Sequence, residues 1–145
     1  MRLVLDTCVV LAAVKSREGA SNLLVNLALS GRVQIALTQP LVSEYEDVLY
    51  RPEHRVQDWT DEDLSTLIDD LLAVADLITP DFSYRPVLND EDDEMVVEAA
   101  FNADAWIVTF NVRDFKPAAR FNIRVLQPSD VLKEMYQRGL LHGEE

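Results

Sequence analysis

Cysteine, glycine, histidine and basic residues are all scarce in this chain, and each scarcity removes a class of chemistry. One cysteine, Cys8, precludes an internal disulfide and disfavours a zinc cage. Two histidines, His54 near a helix end and His142 near the C-terminus, suggest no Ser-His-Asp or Cys-His pairing. Four glycines supply neither a Gly-rich phosphate loop nor a dinucleotide fingerprint, and they leave few obvious breaks. The apolar runs Val4–Leu5 and Val9–Val14 are interrupted by Asp6 or end at Lys15. None approaches the roughly 20 residues a membrane span needs. Near the N-terminus, Arg2 and Asp6 occur without a small-residue cleavage signal, so no secretory peptide and no membrane association are expected. The expected compartment is the cytoplasm.

Positive charge is the largest deficit. Thirteen Lys and Arg face 26 Asp and Glu, a formal net of −13. Phosphate neutralisation supplies most nucleic-acid affinity, so a protein that bound nucleic acid through its overall field would be basic. The composition alone argues against such binding unless the negative charge is gathered into a metal site, where cations invert the local field. The rest would be solvated surface or a patch for a basic partner.

What is present fits one soluble globular domain over 1–145: 145 residues, 48% apolar and 27% charged. Arg2 to Asp6 reads as a buried strand ending on an acid. Cys8 to about Lys15 and Ala20 to Leu29 read as helices, the second closed by Ser30-Gly31. A strand at Val33 to Leu37 precedes a helix capped by Thr38 and running to about Tyr50, where Arg51-Pro52 ends it. Thr60 with Asp61-Glu62-Asp63 opens a helix whose apolar positions run from Leu64 to Ala75. Leu77-Ile78 is a short strand stopped by Pro80. The acidic run Asp90 to Glu94 opens a helix through about Asn102. Ala105 to Thr109 and Ile123 to Leu126 are further strands, and Ser129 to about Arg138 is a closing helix. Alternating strands and helices imply an α/β fold with a parallel sheet covered on both faces.

In such a sheet, ligands sit beyond the carboxyl ends of the strands. Asp6 falls at one such end, either as a site carboxylate or as a cap for the next helix. Asn111 and Asp114 follow another strand; a turn residue and a cap or surface acid are the alternatives there. Glu44 lies within the third helix. Asp93 shares a helix face with Val96, Val97 and Ala100, whereas Asp90, Glu91, Asp92 and Glu94 read as a solvated N-terminus. Cys8 reads as a core residue. An all-oxygen ligand set suits Mg2+ or Mn2+. Arg113, Lys116, Arg120 and Arg124 form a cationic stretch with one acid, Asp114, and read either as an RNA backbone contact or as an ordinary solvated loop.

Four segments carry a family resemblance. Leu5-Asp6-Thr7-Cys8-Val9-Val10 resembles the opening Asp-Thr-Asn-Val motif of PIN domains, with Cys8 where Asn is common. Glu44 to Leu49 is similar to the second acidic motif. Tyr84 to Leu88 with Asp90 to Met95 is similar to the third, and Thr109 to Phe115 to the fourth. The closest branch is that of bacterial toxin components of toxin–antitoxin pairs, related to VapC toxins. The resemblance implies a three-layer α/β/α fold around a five-stranded parallel sheet of order 3-2-1-4-5. It also implies an acidic pocket for Mg2+ or Mn2+ and hydrolysis of RNA. Asp6, Glu44 and Asp93 match the main metal-binding acids; Asn111 stands where many relatives have Asp, and Asp114 is the candidate substitute. Thr7, Thr109, Arg113 and Lys116 are the candidate RNA contacts. Relatives often form homodimers or larger homo-oligomers and are silenced by a small antitoxin.

Three readings follow: a metal-dependent endoribonuclease toxin; a catalytically weakened PIN fold serving as an interaction module; and a phosphatase or phosphotransferase using Asp6 as nucleophile. The last ranks lowest, because Cys8 stands where a second Asp is usual.

Overall fold

A computed structural model describes residues 1–80 and 91–141, with the side chains of Glu91 and Asp92 excepted. The expected motif from Tyr84 to Leu88, Asp90, and His142 lie outside the described residues. Five parallel strands form one sheet: β1 (Arg2–Leu5), β2 (Gln34–Leu37), β3 (Asp76–Leu77), β4 (Trp106–Val108) and β5 (Val125–Leu126). Their order is β3-β2-β1-β4-β5, as the resemblance implied. Leu3 pairs with both Ile35 and Trp106, which puts β1 at the centre. Its Leu3, Val4 and Leu5 are 0–1% exposed, as an interior strand covered on both faces requires.

Helices α1 (Thr7–Lys15), α2 (Ala20–Leu29), α3 (Gln39–Leu49), α4 (Asp61–Val74), α5 (Glu91–Ala103) and α6 (Pro128–Gln137) flank the sheet in three layers. None is long and apolar enough to cross a membrane. Local chemistry sets their ends. Gly31, at φ +81°, turns the chain after α2 so that the Arg32 N–H reaches the Leu27 carbonyl at 2.9 Å and the Gly31 N–H reaches that of Ala28 at 3.1 Å. Thr60 and Asp63 exchange side-chain-to-backbone bonds of 3.1 and 2.9 Å in a capping box at the start of α4. Thr38 caps α3 through the Leu41 N–H.

Two expectations need correction. The third strand is Asp76–Leu77, because the Ile78 N–H, bonded to the Leu37 carbonyl, already lies past the last ladder pair. Residues Val112–Phe121 form a 3₁₀ helix rather than a loop. Val112, Phe115, Ala118 and Phe121 recur every third residue, the 3₁₀ period, and Phe115 and Ala118 are fully buried.

Candidate active site

The carboxyl ends of β1 and β4 meet at Asp6. Its N–H bonds the Val108 carbonyl at 2.9 Å, so the ladder carries one residue past β1 before the chain turns into α1. Asp6 then takes extended backbone angles and caps α1, its Oδ1 accepting the Thr7 N–H at 2.8 Å. Oδ2 accepts the Thr109 hydroxyl at 2.7 Å and the Cys8 thiol at 3.4 Å. The residue is 6% exposed and makes no ion pair among the described residues. The cap and the site carboxylate, alternatives on sequence grounds, are therefore one group. A carboxylate offers about four acceptor positions, so three neutral donors leave Oδ1 with capacity for another partner. Buried negative charge balanced only by neutral donors favours a cation there.

Thr109, an expected RNA contact, is 0% exposed. Its hydroxyl donates to Asp6 and accepts the Asn111 N–H at 3.0 Å, which ties the chain after β4 to the acid. Thr7 is buried in the first turn of α1. Asn111 and Asp114 are exposed, and the Asp114 N–H bonds the Asn111 carbonyl at 3.0 Å at the start of the 3₁₀ helix.

Cys8 is not a simple core residue. It is half-buried, and its thiol touches both Asp6 and Thr109. Burial first, then the Asp6 charge, push its pKa up from 9.0 to about 11; hydrogen bonds from the Phe110 backbone and Thr109 pull the other way. The thiol is therefore a neutral donor. Tyr45 is a further residue that sequence reasoning missed. Fully buried beside the half-buried Glu44, it donates its hydroxyl to the Leu5 carbonyl at 2.5 Å and so fastens α3 to the end of β1. Burial, and secondarily the Asp6 charge, hold its phenol well above the usual range.

On α5, Asp93 is half-buried, and the inward acid is Glu94, at 3% exposure. The expectation of a solvated Glu94 fails because it lies one turn before Val97 on a helix that packs against β1, β2, β4 and α3, a buried arc wider than one stripe. The elements bearing Asp6, Glu44 and Asp93 are thus neighbours. Among the described residues, no group of three or more His, Cys, Asp or Glu side chains is placed to hold a metal ion. By type, the carboxylate donors suit a hard divalent cation.

The cationic stretch is divided. Arg113 and Lys116 are exposed on one row of the 3₁₀ helix, past the carboxyl end of β4. Arg124 instead precedes β5, at the opposite, amino end of the strands, where it pairs with Glu134 at 3.1 Å and covers the Trp106 ring at 4.3 Å.

The family model described as a PIN domain matches residues 2–113. Among solved structures, the chain is similar to one of VapBC2 from Rickettsia felis bound to a DNA fragment from their promoter. The TM-score is 0.57 at 18% identity, covering 88% of this chain and 98% of that one, a likeness of fold. No curated protein matches.

Proposed function

The chain belongs to the PIN-domain family, and we propose that it is a divalent-metal-dependent endoribonuclease, the toxin of a toxin–antitoxin pair. Proteins of this family are in general metal-dependent nucleases. The observation that carries the reading is Asp6: a buried carboxylate at the end of the central strand, held by three neutral donors and with acceptor capacity to spare. Asp6 would anchor Mg2+ or Mn2+, and Glu44 and Asp93, which form no three-carboxylate cluster with it among the described residues, would have to move toward it to complete the ligand set. Such an ion would supply charge stabilisation at the scissile phosphodiester. Thr109 and Cys8 fix the Asp6 carboxylate, Tyr45 fastens the Glu44-bearing helix, and Asn111 or Asp114 would orient the attacking water. Arg113 and Lys116, exposed past the carboxyl end of β4, would meet the RNA backbone. The antitoxin partner and the toxin role rest on the motif resemblance and on the fold likeness to the VapBC2 chain; a homodimer or higher homo-oligomer in the cytoplasm belongs to the same reading.

The exposed Asn111, an amide where many relatives carry an acid, favours one second reading: a weakened PIN fold used as a protein or RNA interaction module. Both readings are tested by RNA cleavage with added Mn2+ and by calorimetric Mn2+ titration, each on wild type and Asp6→Asn. The nuclease reading expects metal-stimulated cleavage and stoichiometric Mn2+ uptake, both lost in a folded Asp6→Asn. Equal cleavage by the two proteins would sink the assignment of Asp6, and an inert wild type without Mn2+ uptake would favour the interaction module.

A further inference from the structure

Phe110 is a large apolar side chain left 45% exposed at the edge of the candidate active site. It follows Thr109, whose hydroxyl is on Asp6 at 2.7 Å, and precedes Asn111, whose N–H is on Thr109. The ring is therefore carried on backbone tied from both sides to the buried acid. Resting on the nuclease reading, we propose that Phe110 is the platform on which a nucleobase of single-stranded RNA stacks beside the site, with Arg113 and Lys116 holding the adjoining phosphates.

The surroundings favour a flat anionic ligand over an apolar protein face. In a 3₁₀ helix, residues three apart eclipse, so Arg113 and Lys116 form one row about 6 Å long, and Asp114 lies on another. Neither cation makes an ion pair among the described residues, whereas Arg2, Arg51, Arg55, Arg124 and Arg138 each pair with a carboxylate. Among the described residues, the other exposed large apolar side chains, Leu77, Tyr136 and Leu140, sit on other elements and form no docking patch with Phe110. Exposed Leu77 is on β3, three strand spacings or roughly 14 Å from β4. Tyr136 and Leu140 belong to the end of α6 and the turn after it. A base already stacked in a duplex cannot offer its face to a ring, so the ligand is single-stranded.

The test measures anisotropy of a short fluorescein-labelled oligouridylate, and of the same strand with abasic sites, in chelator and in an Asp6→Asn background. Phe110→Ala should weaken oligouridylate binding roughly 5- to 150-fold, Phe110→Trp should restore it, and neither should alter binding of the abasic strand. Arg113→Gln with Lys116→Gln should weaken both strands alike. Unchanged oligouridylate binding by Phe110→Ala, an equal loss on the abasic strand, no binding by the parent protein, or a change confined to oligomeric state by sedimentation would each overturn the inference. Cleavage assays on Asp6-bearing protein decide the nuclease reading separately. A protein that stacks RNA without cutting it retains this inference and loses that reading; one that cuts RNA indifferently to Phe110 does the reverse.

Discussion

Replacing Thr109 by Val removes one hydroxyl from a site with no solvent to replace it. The swap conserves volume, so the cost is polar. The bond to Asp6 Oδ2, at 2.7 Å, is a hydrogen bond to a charged group in a residue that is 0% exposed. Bonds of that kind contribute about 1.5–3 kcal/mol. The Asn111 N–H loses its acceptor as well, adding about 1 kcal/mol. Thr109→Val should therefore destabilise metal-free protein by roughly 2–4 kcal/mol, a large share of the ~5–15 kcal/mol typical of a domain. Urea unfolding would read this as a lower midpoint at constant slope. Thr109→Ser, which keeps the hydroxyl, should retain most of the stability.

The cycle of Thr109→Val, Asp6→Asn and the double variant isolates the pair. The two side chains are in direct contact, so a coupling of about 1–2 kcal/mol is expected. A Thr109→Val cost below about 0.5 kcal/mol, or additivity within about 0.5 kcal/mol, would refute the argument that Thr109 fixes the carboxylate.

Tyr45→Phe should cost about 1–3 kcal/mol in the same assay by stranding the Leu5 carbonyl; an unchanged midpoint would contradict the fastening of α3 to β1. In metal-free protein Cys8 should react with a disulfide reagent at pH 8 roughly 10- to 100-fold more slowly than in urea, because the thiolate is scarce. Its pKa is raised in the fold from 9.0 to about 11, so its contribution to stability is present below pH 9.0 and lost as pH rises through about 11. A native labelling rate equal to the unfolded one would show an unperturbed thiol. If Arg113 and Lys116 are the principal phosphate contacts, RNA affinity should fall with salt at a slope of about −1.4, that is ~0.7 for each of two contacts; a slope beyond about −4 would require contacts elsewhere.

The parts of the fold written in local pattern were legible. Thr38 and Thr60 mark helix starts by their own hydroxyls, Gly31 marks a stop by its backbone, and the apolar run Leu3-Val4-Leu5 ending on Asp6 marks a buried strand with an acid at its mouth. The site's internal wiring was not, since its bonds join residues far apart in sequence, Thr109 to Asp6 and Tyr45 to Leu5. The sequence does not mark which hydroxyl will meet which acceptor across such loops. Glu94 was misread because a run of five acids masks a single inward position. The 3₁₀ helix did leave a signal, apolar residues at every third position from Val112 to Phe121, a period easily lost when only 3.6 and 2 are sought.

The division of the cationic stretch bears on how an acidic chain could approach RNA. A net charge of −13 repels a polyanion at long range, but exposed charges are screened beyond about 8 Å at physiological salt. Within that radius the local set of groups decides. Arg124 and Arg138, stacked on Trp106 and sharing the one carboxylate of Glu134, are engaged at the amino end of the strands. Arg113 and Lys116 stay clear of ion pairs among the described residues, on the same side as Asp6. Long-range repulsion would slow encounter, while the cation row and the Phe110 ring would govern what happens on contact. Slow association with ordinary dissociation is thus the kinetic signature of binding at this edge, and raised salt should speed association even as it weakens the phosphate contacts.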